Sequence, residues 1–251
     1  MNVEIKKCLE GLRSRNMHGI FCENTEVATT EILKLIPEGA VVGIGDSTAV
    51  RQIGVLENLR QEGVSVLNAF DMGGREMSPE KARDYLYGTM KKATVCDVFL
   101  TGTNAITLDG RIVNVDAAGN RVAGMFWGHP ISIIAVGQNK IVPTLDDAFD
   151  RIRNIIAPTH IHIRETTSGR KKPKTPCVMT AKCKDCRVPD RICNIFTIIE
   201  GKPFTTEIHV VIVGEDLGLG WDPSWPDERI QKIIENHKKH NWLLPFDIHE
   251  K

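Results

Sequence analysis

Apolar positions along the chain alternate between helical spacing and short unbroken runs, and this alternation predicts helices and strands in turn. Asn24 caps a predicted helix with the stripe Ala28, Ile32, Leu35 and Ile36, ended by Pro37 and Gly39. Ala40 to Ile44 predicts a strand, Gly43-Ile44-Gly45-Asp46-Ser47-Thr48 a turn, and Ala49, Ile53, Leu56 and Leu59 the next helix. Val64 to Phe70 repeats the strand pattern. Ser78-Pro79 then places a cap before a proline in the first turn of a helix bearing Ala82, Leu86, Met90 and Ala93.

Val95 to Leu100 predicts a strand that ends in Thr101-Gly102-Thr103-Asn104, and shorter strands follow at Ile112 to Val115 and Ile131 to Val136. Asp109-Gly110 and Ala118-Gly119-Asn120 are turn signals between them. Thr144 caps a helix with Leu145, Ala148, Ile152 and Ile155. From Pro158 to Asn194 the periodicity stops, which predicts a loop inserted at about 158–197. Ile208 to Val213 returns to a β-branched strand, and Pro226 opens a last helix through Ile230, Ile233, Ile234 and His237. Strands alternating with helices predict one α/β domain over 1–251, built on a mostly parallel sheet.

The inserted segment holds Cys177, Cys183, Cys186 and Cys193, spaced Cys-x5-Cys-x2-Cys-x6-Cys. Lys171, Lys172, Lys174, Lys182, Lys184, Arg187 and Arg191 surround them and would offset thiolate charge, while Pro173, Pro176 and Pro189 disfavour a regular element. Four cysteines gathered in one segment around a Cys-x2-Cys pair suit an iron–sulfur cluster of the four-iron type. Zinc is the alternative, and reduced thiols in a plain loop are the reading without metal. Cys8, Cys22 and Cys96 stand apart as structural residues. His160-x-His162 would place both rings on one side of an extended segment, as on a solvent-facing strand edge. Trp221, Trp225 and Trp242 are expected to pack.

The chain has 32 basic and 32 acidic residues, so its formal net charge is zero and no global field favours nucleic acid. Its start lacks a basic and apolar leader, and no apolar run approaches the ~20 residues of a membrane span. These features predict a cytoplasmic protein, for which a homo-oligomer is open.

Two further stretches carry candidate chemistry. The turn Gly43, Gly45, Asp46, Ser47 and Thr48 joins a strand to a helix but lacks the third glycine of a dinucleotide fingerprint and the lysine of a P-loop. A plain capped turn explains it almost as well as ligand binding. The polar run Thr101, Gly102, Thr103, Asn104, Asp109, Asn114, Asp116, Asn120 and Arg121 reads either as a series of hairpins or as the rim of a ligand crevice. In the crevice reading Asp116, with Asp109, is a candidate acid/base group and Arg121 an anion clamp.

Together these residues resemble the LUD domain of lactate utilisation proteins of the C type. The resemblance rests on Gly45 to Thr48, on Thr101 to Asp116, on Gly119-Asn120-Arg121-Val122-Ala123 and on Gly137-x-Asn139-Lys140-Ile141-Val142. It continues through Thr175-Pro176-Cys177, Cys183-x-Asp185-Cys186, Arg191 to Asn194 and Gly214 to Gly218. The resemblance implies a three-layer α/β sandwich of the kind found in ribose-5-phosphate isomerase, glucosamine-6-phosphate deaminase and CoA transferases. There the glycine turn and the Thr-Gly-Thr-Asn strand end border a sugar-phosphate or acyl-CoA pocket. Asn104 stands where related isomerases often carry an aspartate, and an amide cannot act as a general base. The family context implies participation in oxidising lactate to pyruvate beside iron–sulfur redox partners. Three functions are therefore expected in competition: an iron–sulfur protein binding a small anionic metabolite in an electron-transfer assembly, an isomerase or CoA transferase with structural zinc, and a non-enzymatic interaction module.

Overall fold

A computed structural model describes residues 1–71, 77–167 and 175–242. Pro173 and the basic residues Lys171, Lys172 and Lys174 lie outside the described residues. Helix α1 (Val3–Ser14) is capped by Asn2 and leads to β1 (His18–Cys22). Asn24 caps α2 (Thr25–Lys34), its Oδ1 accepting from Val27 N at 2.9 Å, and β2 (Val41–Ile44) follows. The single helix predicted after the glycine turn is two, α3 (Thr48–Ile53) and α4 (Val55–Gln61). Gly54 between them has φ 82°, a left-handed conformation that ends the first helix. Next come β3 (Ser65–Leu67), α5 (Pro79–Ala93) with Ser78 as its cap, and β4 (Val98–Gly102).

The second half runs through β5 (Ala105–Thr107), β6 (Ile112–Asp116), α6 (Asn120–Phe126), β7 (Ile131–Gly137) and β8 (Ile141–Val142). Then follow α7 (Leu145–Arg151), α8 (Ala157–Thr167), α9 (Pro176–Thr180), β9 (Ile195–Ile199), β10 (Glu207–Val213) and α10 (Asp227–His240). No helix among the described residues is long and apolar enough to cross a membrane.

Six strands in the order β1-β10-β7-β4-β2-β3 form one sheet in which every neighbouring pair is parallel. Its central strands are buried on both faces, as a parallel sheet flanked by helices requires. Ile133 and Ala135 of β7 face α2, α3 and α4 with Ile32, Val50 and Leu59; Ile134 and Val136 face α1 and α6 with Leu12, Val122 and Met125. The one-residue alternation of β7 therefore feeds two separate helix layers, which makes the three-layer α/β sandwich. Each such buried aliphatic side chain contributes about 1.5–3 kcal/mol. Gly43 permits the close approach of α5 to the sheet, because a Cβ there would run into Ala93 O.

A second sheet, β8-β5-β6-β9, packs against α7, α8 and α10 through Val113, Val142, Ala148, Ile163 and Ile233. It contains a predicted strand, β6, beside three that the pattern did not signal. Helix α8 occupies part of the segment where lost periodicity predicts a loop. A π turn at Ile152–Ile156 carries α7 into it and accommodates Pro158 near its start. Ile161 and Ile163, two residues apart, are both buried, so α8 is covered on more than one side and has no single apolar stripe. His160 and His162 consequently diverge: His160 meets His237, and His162 is exposed.

One largely buried cation joins the two sheets. Arg121, at the start of α6, donates through Nη1 to Gly102 O at 3.0 Å and Asn114 Oδ1 at 2.7 Å, and through Nη2 to Asn104 Oδ1 at 2.9 Å and Val115 O at 2.8 Å. Its Nε lies 3.6 Å from Asp116 Oδ2. Gly102 ends a strand of the main sheet, and Asn114 to Asp116 belong to the second. Replacing Arg121 with methionine should leave these acceptors and the Asp116 charge unpaired and cost about 3–5 kcal/mol. Urea unfolding would measure this, and a loss below about 1 kcal/mol would show that the sheets are joined by packing alone.

Candidate ligand cavity and cysteine loop

All six strands of the main sheet run the same way, so the turns after β2, β4, β7 and β10 gather beyond one edge. This is where open α/β sheets hold ligands. A cavity of about 340 Å³ opens there. Asp46, Ser47, Thr48, Gly102, Thr103, Asn104, Asp116, Asn120 and Arg121 line it, so the structure brings together most of the residues that the sequence marks as candidates. Gly45 stands behind that wall, where a Cβ would crowd Thr101, and Gly102 leaves room for the Ser47 side chain. Thr101 and Asn114 are buried one layer deeper.

Several polar residues in and behind this wall have definite partners. Ser47 Oγ caps α3 by accepting from Val50 N at 3.2 Å, and Asp46 Oδ1 accepts from Arg51 Nη2 at 2.8 Å. Asn104 Oδ1 accepts from Val115 N at 3.0 Å, while Asn114 Oδ1 accepts from Asn104 N at 3.2 Å. The two amides thus stitch the end of β4 to β6. Asp116 accepts from three backbone amides, Ala118 N and Gly119 N on Oδ1 and Val122 N on Oδ2. Its carboxylate holds the start of α6 and faces Arg121. All four Nη hydrogens of Arg121 are engaged by the protein, so the guanidinium is a structural tie rather than an open anion clamp. Burial pulls Arg121 below its ordinary pKa, and Asp116 and then Asp46 oppose that shift.

Asp109 lies elsewhere. Its half-exposed carboxylate pairs with Arg15 at 2.8 Å and with Arg111, beside α1. Burial works to raise it, but the Thr107 hydroxyl, Arg15 and Arg111 together hold it below the usual carboxylate range. Cys8, Cys22 and Cys96 are buried in the core. Burial, reinforced by Asp109, pushes the Cys8 thiol up to about 12.

The cavity also contains residues outside the candidate set read from the glycine turn and the polar run. Lys140 follows β7 in a 3-10 turn, and Asn139 beside it fixes the opposite loop by accepting from Leu217 N at 2.9 Å and donating to Gly220 O at 2.9 Å. His160, Arg164 and Glu165 come from α8, and His237 from α10. His160 Nδ1 lies 3.4 Å from His237 Nε2. Burial first, then neighbouring charges, push His160 down to about 3 and His237 to about 2, so both imidazoles are neutral. The available signal was a lone lysine between two apolar strands and a histidine at an inward position of the last helix. Trp242 lines the cavity with its ring 5.1 Å from that of Phe70, edge to face; Trp221 and Trp225 pack beside α10.

The cysteine loop forms one wall of this cavity. Asp190 and Ile192 line it, and Asn194 docks the loop by donating from its backbone N to Asp116 O at 3.1 Å and from Nδ2 to Ala117 O at 3.2 Å. Asp185, at φ 44°, turns its N–H toward Cys183 Sγ at 3.4 Å, the kind of contact that stabilises a thiolate. Arg191 braces the turn, donating to Cys193 O at 2.9 Å, to Asp185 Oδ1 at 2.9 Å and to Cys186 O. Burial, then the charges of Cys177, Cys183 and Cys186, raise Cys193 to about 11, and burial with Cys186 and Cys183 raises Cys177. The four sulfurs lie in one electrostatic neighbourhood, and thiols are the donor type that soft metals and iron–sulfur clusters take. Among the described residues no group of three or more histidine, cysteine, aspartate or glutamate side chains is arranged to hold a metal ion.

No curated protein matches this chain. A crystal structure of a DUF162 family protein from Deinococcus radiodurans, at 1.70 Å resolution, is similar over 84% of this chain and 96% of that one, with 13% identity and a TM-score of 0.45. The profile of the LUD domain matches residues 5–213, a span from α1 to the end of β10 that contains both the cavity turns and the cysteine loop. On that match, the chain belongs to the LUD domain family.

Proposed function

We propose that this LUD protein carries an iron–sulfur cluster on Cys177, Cys183, Cys186 and Cys193, binds a small anionic metabolite in the adjoining cavity and serves an electron-transfer assembly. Family membership supports a role related to lactate utilisation. The observation that carries the finer reading is that the segment bearing the four thiols is also a wall of the cavity, through Asp190 and Ile192. When bound, a four-iron cluster would supply a one-electron relay beside the ligand. The chain's own residues hold the thiols in place: Arg191 gathers the carbonyls of Cys186 and Cys193, and the Asp185 amide faces Cys183. Iron–sulfur redox proteins are the partners that such a relay would require.

The isomerase or transferase reading draws no support from its candidate carboxylates. Asp116 is occupied by three amides and Arg121, and Asp109 is remote from the cavity. General acid/base work needs a carboxylate within reach of the reacting proton.

Protein purified without oxygen should contain iron and acid-labile sulfide and absorb broadly in the visible. Cys183→Ser and Cys186→Ser should lose most of that colour. Stoichiometric zinc without a visible band, or a metal-free protein, would sink the iron–sulfur proposal. Asp109→Asn should leave binding of small acids unchanged within about twofold, because its carboxylate is half exposed and stands outside the cavity. A large loss of affinity measured by calorimetry would return Asp109 to the site.

A further inference from the structure

Lys140 has no role in the reading so far, yet it is among the most constrained polar residues of the cavity. The residue is 7% exposed, and Nζ donates to Thr103 O at 2.7 Å. That is its one hydrogen bond among the described residues, and an ammonium has three donors. Gly218, at φ +65°, closes over it: a Cβ there would stand 2.7 Å from Nζ. The charged neighbour that acts on Lys140 is Arg121, a like charge. Burial and then Arg121 push Lys140 down to about 7.

The acids on the cavity wall do not supply the missing counter-charge. Asp116 is held by amides and Arg121, and Asp46 by Arg51. Glu165 and Asp190 have partners of their own, as does the remaining cation of the wall, Arg164. A buried ammonium with no opposite charge is costly, and proteins retain such groups where something else completes them. An orphan imidazole nitrogen points the same way. His237 is 4% exposed, lines the cavity, and its Nδ1 has no hydrogen-bond partner among the described residues.

We propose that Lys140 seats the carboxylate of the cavity's ligand, with a hydrogen-bonding substituent of that ligand at His237 Nδ1 and an apolar body along Phe70, Leu86, Met90, Ile156 and Trp242. This rests on the anion-binding reading above and narrows it to amphipathic monocarboxylates. The case against phosphate is one of charge: a dianion calls for more than one cation with open donors, and the Arg121 Nη hydrogens are all taken. The case for an apolar body is one of size, since about 340 Å³ falls in the range of ~300–1,000 Å³ that suits ligands larger than a three-carbon acid.

The linkage has a defined sign. In the free protein Lys140 begins to lose its proton as pH rises through about 7. A carboxylate beside it favours the charged form, so binding above that pH takes up a proton and affinity falls as pH rises. His160 and His237 stay neutral throughout, and Arg121 stays charged.

The test is calorimetry on the full, anaerobically prepared protein with acetate, 3-phenylpropionate and inorganic phosphate, at pH 6 and at pH 8 in two buffers of different ionisation enthalpy. Expected are at least tenfold tighter binding of 3-phenylpropionate than of acetate, no phosphate binding, and proton uptake at pH 8. Lys140→Met should weaken 3-phenylpropionate at least tenfold, whereas Lys140→Arg should retain binding without the proton uptake. Should Lys140→Met not fold, the loss of proton uptake in Lys140→Arg decides. Wild-type affinity in Lys140→Met, or wild-type proton uptake in Lys140→Arg, overturns the assignment. Binding of phosphate in preference to the carboxylates overturns it while leaving an anion cavity in place, and no binding of any probe removes both.

Discussion

A guanidinium taken out of water must be met by acceptors on every side, and at Arg121 that requirement shapes the whole region between the sheets. Its four Nη hydrogens reach two backbone carbonyls and two asparagine side chains, and its Nε faces Asp116. The identities of Asn104 and Asn114 follow. An asparagine offers an acceptor to the arginine without adding a charge, whereas a second aspartate here would leave excess negative charge in a buried site. Asp116 supplies the adjoining negative charge and spends its other lone pairs on the amides that begin α6. The polar run that suggested catalytic chemistry is thus in large part the solvation shell of one buried cation.

The parallel sheet was legible because its strands are short apolar runs separated by capped helices. Asn24, Ser78 and Thr144 announce helix starts, and each caps the helix predicted for it. What was missed has a common cause. Strands β5 and β8 are three and two residues long, too short for any periodic signal. Helix α8 is covered on more than one side, so its apolar residues fall two apart and mimic extended chain. Edge strand β1 begins with two exposed residues, and its identity depends on β10, nearly two hundred positions later.

The cavity was partly legible for the same reason. Glycine turns at strand ends are visible in sequence, and a parallel sheet must collect them at one edge. The residues from α8 and α10 are brought there only by tertiary packing, and no local pattern distinguishes His237 from an ordinary inward position on a helix. Roles were less legible than places. Asp116 and Arg121 have the chemistry of an acid/base group and an anion clamp, and only their hydrogen bonds reveal that both are engaged in holding the fold. Lys140 has the opposite history: it is plain in sequence, and its meaning comes from the absence of an acid acting on it.

The cysteine loop poses a stability question that bears on its chemistry. From Pro176 to Asn194 no residue is buried, and α9 contributes none to any core. A stretch of that length without apolar anchors does not hold one conformation by packing. Arg191 and Asn194 supply a handful of hydrogen bonds, each worth about 0.5–1.5 kcal/mol net, against about 1–2 kcal/mol of backbone entropy for every residue ordered. Under the iron–sulfur proposal, ligation by the four cysteines would offset the difference, because metal binding by thiolates contributes directly to folding. Because Asp190 and Ile192 belong to this loop, the same interaction that orders the thiols would complete the cavity wall. Under the iron–sulfur proposal, the electron port and the ligand site are then two consequences of one folding event.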